Sequence, residues 1–141
     1  MMNNAVFLAV VAMIFAGVTS VIAKFGLKGI TADLGLAVRT VVVFGIVMLN
    51  YMAFHSPKEL QTLTKSNVMF LAISGITTSV SWIFYYKAIK MGDVSQVALI
   101  DKGSIIITLI LSFTLLNEPM TAKVLFGAGF ILVGLVILMI K

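Results

Sequence analysis

Cysteine is absent from this chain, which excludes disulfides, thiolate metal sites and thiol chemistry, and leaves the redox compartment undetermined. Histidine is nearly absent: His55 has no second histidine and no carboxylate cluster around it, so no metal-ligand spacing exists and His55 reads as a solvated loop residue. Charge is scarce at 11% of residues, and no nucleophile with a base, phosphate-cradling loop or paired carboxylates occurs. An enzyme is therefore not expected, and neither is a cofactor or a metal. The two prolines, Pro57 and Pro119, both fall where apolar runs stop.

What fills the chain instead is apolar surface. Hydrophobic residues make up 61% and the mean hydropathy is +1.17, more than a soluble domain of 141 residues can cover. The surplus must face lipid. The net charge of +5 does not point to nucleic acid, because most basic residues fall singly at the ends of apolar runs, with no basic stripe. The first run has no basic residues before it and stays apolar from Ala5 to Ala23. It is long enough to span, so it reads as a retained helix and not a cleaved signal peptide.

The pattern predicts an all-α membrane protein of five transmembrane helices at about residues 4–23, 31–54, 67–87, 94–116 and 120–140, forming one domain over 4–140. Each break carries Gly, Pro or charge, as helix ends at a membrane interface do. Short loops make sequential helices antiparallel neighbours. Five is odd, so the termini lie on opposite sides of a multi-pass protein, expected in the plasma membrane. The side holding the first and third loops and the C-terminus, here side B, carries Lys24, Lys28, Lys87, Lys90 and Lys141; side A carries Lys58, Lys65 and Lys123. The positive-inside rule favours side B in the cytoplasm, N-out and C-in, by a margin narrow enough to leave dual topology open.

Small residues form one face of the first helix: Ala5, Ala9, Ala12, Ala16, Ser20 and Ala23. Close approach through such residues replaces the hydrophobic effect as the source of helix pairing in lipid, within a subunit or between subunits. On the fifth helix Gly127 and Gly134 share a face, a site for dimer packing or an ordinary membrane-helix feature.

Three charges fall inside spans, where they are costly and count as functional candidates. Arg39 lies about five to eight residues into the second helix, and Asp101 and Lys102 about seven or eight into the fourth, all roughly 8–12 Å below side B. A pair between Arg39 and Asp101 would leave Lys102 without a carboxylate. The long cations can also snorkel to headgroups, which the short Asp101 cannot easily do. Polar stripes accompany them: Asp101, Ser104, Thr108 and Ser112; Ser74, Thr78, Ser81 and Tyr85, with Thr77 alongside; and Arg39 with Asn50. They line a solute or proton pathway, or they are hydroxyls bonded back to their own helices. Trp82 and Tyr85 either form an aromatic belt or offer faces to a solute. Glu118 before Pro119 reads as the N-cap of the fifth helix.

The run Tyr86-Lys87-Ala88-Ile89-Lys90-Met91-Gly92-Asp93-Val94-Ser95-Gln96-Val97-Ala98, then Ile100-Asp101-Lys102, then Leu116-Asn117-Glu118-Pro119 and the helix with Gly127 and Gly134, resembles the EamA family of the drug/metabolite transporter superfamily. Lys24, Lys28 and Arg39 match weaker habits of that family. Typical members carry two such repeats, giving ten helices in inverted halves; this chain resembles one repeat. The resemblance implies a transporter fold whose solute pathway is lined by the first four helices of each half. Repeating a five-span unit in tandem necessarily inverts it. The expectation is a secondary transporter for a small metabolite or drug-like solute, acting as a homodimer of halves, antiparallel if the orientation is dual. The alternative is a non-transporting membrane subunit, or half of a lipid-carrier flippase, working with a partner.

Overall fold

In lipid the backbone's polar groups are satisfied within an α-helix or a closed β-barrel, and apolar runs of about 20 residues with few breakers fit the helix. The computed structural model describes residues 2–140 and is all-α, with no strand among the described residues. Its helices are α1 (Met2–Gly26), α2 (Ala32–Phe54), α3 (Lys65–Met91), α4 (Val94–Asp101), α5 (Ser104–Leu115) and α6 (Ala122–Met139). A 3-10 turn, Pro57–Thr62, lies between α2 and α3. Four stretches, Asn4–Gly26, Ala32–Phe54, Lys65–Met91 and Val94–Leu115, are long and apolar enough to cross a membrane. With its 18 residues, α6 reaches about 27 Å, at the short end for a span. Lys141, counted above among the side B charges, lies outside the described residues.

Several ends differ from the sequence expectation. The third helix runs on to Met91, so Lys87 and Lys90 belong to its last turns and not to the loop beyond it. The sixth is capped by Thr121, whose hydroxyl accepts from the Val124 N–H. Glu118 and Pro119 therefore sit in the connection and cap nothing. There Asn117 takes a left-handed φ of 53°, which turns the chain so that the Glu118 N–H reaches the Ser112 carbonyl at 3.3 Å. His55 is engaged and not merely solvated: its Nδ1 lies 3.0 Å from Glu59 Oε2, and its ring stacks on Tyr51.

The fourth span is broken in the middle. Lys102 and Gly103 donate to carbonyls three residues back, at 3.1 and 2.8 Å, as do Ile105 and Ile106 at 3.1 Å each. This is a short tightening of the 3-10 kind between α4 and α5. Gly103 suits it because a Cβ there would lie 3.0 Å from the Ile100 carbonyl oxygen and 3.3 Å from Leu135 Cδ1.

The chain forms two compact units, Met1–Met91 and Gly92–Lys141. In the first, α2 and α3 pack along each other. Its buried core, Leu27, Ala32, Leu36, Tyr86 and Ile89, gathers at one end, where the turn between α1 and α2 meets the last turns of α3. Gly29, at φ 76°, makes that turn, and Gly35 leaves room for Leu27 to fold back onto α2. In the second unit α6 packs against α4 and α5. Elsewhere the apolar side chains are open, as surfaces meant for lipid or another helix are.

Candidate functional site

The end of the first unit that holds its core also holds its chemistry. Arg39 projects from α2 toward α3, where Trp82 and Tyr86 stand four residues apart and share a face. Its guanidinium carbon lies 4.1 Å from the Trp82 ring centre and 5.8 Å from that of Tyr86. Stacking a planar, weakly hydrated cation on aromatic faces is how an arginine can be held in apolar surroundings without an acid. Tyr86 is buried, with the Tyr85 ring edge-on at 6.4 Å. Arg39 Nη1 is itself buried and has no hydrogen-bond acceptor among the described residues.

Beside this stack is a cavity of about 340 Å³. Its wall is mainly apolar, with Ile22, Leu27 and Val38 alongside Arg39 and Tyr86. Small-molecule pockets begin near this volume. Thr19 also borders it, but its hydroxyl donates to the Phe15 carbonyl at 2.7 Å.

Lysines lock the rim. Lys24, near the end of α1, donates to the Ile89 carbonyl at 2.5 Å and to that of Lys90 at 3.3 Å. Lys90, at the end of α3, donates back to the carbonyls of Leu27, at 3.3 Å, and Ile30. Lys24 thus satisfies carbonyls that the end of α3 leaves without intrahelical partners, and Lys90 satisfies carbonyls of the turn between α1 and α2. Lys87 Nζ lies 3.5 Å from Asp33 Oδ1 across the ends of α3 and α2.

The predicted site residues separate accordingly. Arg39 and Trp82 are brought together. Tyr85 stands next to them, but its hydroxyl donates to Ser20 Oγ at 2.7 Å and ties α3 to α1. Asn50 is exposed on α2, eleven residues or about 16 Å along the axis from Arg39, and does not join the cluster. Ser81 is exposed on α3. In the second unit Asp101 and Lys102 flank the break, and Lys102 Nζ lies 3.7 Å from Asp101 Oδ2. Lys102 therefore does have a carboxylate beside it, on its own neighbour. Ser104 opens α5 and its carbonyl accepts from Thr108 Oγ1 at 3.1 Å. Thr77 and Thr78 likewise donate to the Ser74 carbonyl, at 2.9 and 2.8 Å. Much of the polar striping is therefore hydroxyls bonded back along their helices.

Gly127 and Gly134 have open space where a side chain would stand. The small face of α1 is exposed from Ala5 to Ala16 and becomes half-buried at Ser20 and Ala23. Sequence reasoning passed over Tyr86 as a platform, although its spacing of four from Trp82 was the available signal. The exchange between Lys24 and Lys90 joins residues 66 apart and left no local trace.

Comparison with known proteins bears on the whole chain. The model of the EamA-like transporter family matches residues 3–140. A protein described as an uncharacterized transporter in the cobO 3' region, from Sinorhizobium sp, is 33% identical over 132 residues, covering 94% of each chain. No solved structure matches.

Proposed function

The chain belongs to the EamA-like transporter family, a group of multi-pass membrane transporters within the drug/metabolite superfamily, and on that premise we propose that it carries a small metabolite or drug-like solute across the plasma membrane. The observation that carries this reading is a solute-sized cavity flanked by an intramembrane arginine held on two aromatic rings. A cation kept inside a span with no acid partner among the described residues of its own unit serves a pathway better than it serves stability. Arg39 and Trp82 hold the solute, with Tyr85 fixing the aromatic wall through Ser20. In this proposal Asp101 carries a coupling proton, beside Lys102 and Ser104, and Asn50 and Ser81 complete the pathway.

The working unit in this proposal is a dimer of five-helix halves, inverted with respect to each other. Three features support it. An odd number of spans inverts the second half of a tandem repeat, and two separate copies reproduce that arrangement when they insert in opposite orientations. The matched relative has 94% of its own length covered, so it too is about one repeat long. The faces bearing Gly127 and Gly134 are open for a partner.

Uptake or efflux of a metabolite panel by the purified protein in liposomes tests the transport reading. Saturable movement that Arg39→Gln abolishes is the expected result, and leakage identical to protein-free vesicles would remove it. Reporter fusions at both termini test the assembly: a single fixed orientation with no partner half-protein sinks the inverted homodimer. Normal transport by Asp101→Asn would take Asp101 out of the mechanism.

A further inference from the structure

We propose that Arg39 receives the negatively charged head of an organic anion, a carboxylate or phosphate on a small apolar body that occupies the cavity beside it. The inference deepens the transporter reading above and rests on it for the role of the bound molecule. It begins from what Arg39 lacks. A guanidinium has five N–H donors in one plane and no acceptor, and its two faces are free to stack. Trp82 and Tyr86 offer it aromatic rings and no acceptor. That leaves the donors at the edge, where Nη1 is buried with no acceptor among the described residues.

The acids of this unit are committed elsewhere. Asp33 lies 3.5 Å from Lys87, and Glu59 lies 3.0 Å from His55 at the far end of α2. Those are the only carboxylate side chains between residues 1 and 91. No counterion for Arg39 is therefore built into the helices that position it. Lys24 and Lys90 place two more cations at the same end, both donating to backbone carbonyls.

An oxyanion meets all of these conditions at once. It accepts two parallel N–H bonds in the guanidinium plane, the geometry for which arginine is suited. An apolar body attached to it would lie against Ile22, Leu27 and Val38. A neutral solute could accept from the buried donor but brings no counter-charge and at most a weaker bond, and an organic cation would be repelled. The aromatic stack holds the arginine in place before the anion arrives, which lowers the ordering cost of binding.

Trp82 is the only tryptophan in the chain and touches Arg39, so its emission reports on the site. The full-length protein in nanodiscs of zwitterionic lipid is titrated with benzoate, phenylacetate and phenyl phosphate, and in parallel with benzamide, phenylacetamide and benzylamine. The three anions are expected to change Trp82 emission saturably, and the neutral and cationic analogues to leave it flat. Arg39→Gln should weaken anion binding roughly 10- to 100-fold, the loss of a charge-assisted hydrogen-bonded pair. Arg39→Lys, which keeps the charge without the fork, should fall between.

Equal responses to benzoate and benzamide, or unchanged affinity in Arg39→Gln, overturn the proposal. So does emission that, in a parallel series of discs doped with anionic lipid, follows the anionic-lipid content while no soluble anion competes, since the head would then belong to a lipid. The analogue comparison on the unmodified protein stands even if Arg39→Gln fails to fold. Proteoliposome flux separates the two readings. If only neutral or cationic solutes move, the anion site falls and the transporter stands. If anions bind at Arg39 and none crosses, the transporter reading fails and the site stands.

Discussion

Replacing Lys24 by Met removes one half of the lysine exchange while keeping an apolar stem of similar length. The structure sets the size of the effect. Lys24 gives one bond in a half-buried position, to Ile89 at 2.5 Å, and one in an exposed position, to Lys90 at 3.3 Å. Water can replace the exposed bond, so only the half-buried one counts fully. A charge-assisted bond nets about 1.5–3 kcal/mol, and the cation also sits at the negative end of α3, which adds a few tenths. Partial exposure places the total near the lower bound, about 1.5–2 kcal/mol. Lys90→Met should cost a similar amount through Leu27 and Ile30. Because each lysine anchors the segment that carries the other, the double variant should lose less than the sum, by about 0.5–1 kcal/mol. Unfolding in mixed micelles with rising SDS fraction, followed by far-ultraviolet circular dichroism, measures all three. Lys28→Met is the control: it removes a charge from the same turn, but Lys28 only overlies the Phe25 ring and caps no carbonyl. Its expected cost is under about 0.5 kcal/mol. Equal losses at Lys24 and Lys28 would refute capping in favour of charge alone, and strict additivity would refute the reciprocity.

Other changes probe the remaining joints. Gly103→Ala should destabilise by about 1–3 kcal/mol in the same assay, because its methyl would press on the Ile100 carbonyl and on Leu135; a neutral result would mean that α6 is not seated there. Tyr85→Phe should lose about 0.5–1.5 kcal/mol, and Ser20→Ala on top of it should add little, since one hydrogen bond joins them. Thr121→Ala should cost about 1 kcal/mol as a lost N-cap, whereas Glu118→Gln should be near neutral; the reverse order would restore Glu118 as the cap.

Apolar run length made the all-α membrane fold legible in the sequence, since residues 67–87 and their like have no other stable form in lipid. Helix ends were less legible. Lys87 and Lys90 read as loop charges because charge usually marks an interface, yet their side chains reach Asp33 and the carbonyls of the turn between α1 and α2, so the helix that carries them continues to Met91. The mid-span break left one local signal, Gly103 after two charges, but its reason is tertiary: Leu135 stands 32 residues away. At the site, cost inside the membrane singled out Arg39, but the same rule pointed toward an acid partner. What it meets within its own unit is a pair of rings, because stacking meets the guanidinium's needs without a second buried charge. Stripe logic overreached for Thr77, Thr78 and Thr108, whose hydroxyls find carbonyls a turn away.

The lysine exchange also bears on orientation. Topology follows the count of Lys and Arg near span ends, with acids contributing little. Side B holds Lys24, Lys28, Lys87, Lys90 and Lys141 against Lys58, Lys65 and Lys123 on side A. The count is five to three, a narrow margin. Lys24 and Lys90 cannot be given up without loosening the end that holds Arg39, so two of the five have a structural reason to be where they are. A protein under pressure for one fixed orientation would be expected to add lysines to the side B turn, where Lys28 shows that an exposed cation is tolerated. Near balance with structurally required lysines is instead what a chain inserting both ways needs. Adding two lysines near Lys28 should then force one orientation and abolish transport by the chain alone. Co-expression with a chain biased the opposite way, through lysines added beside Lys58, should restore it. Full transport by the singly biased chain would refute the inverted pair.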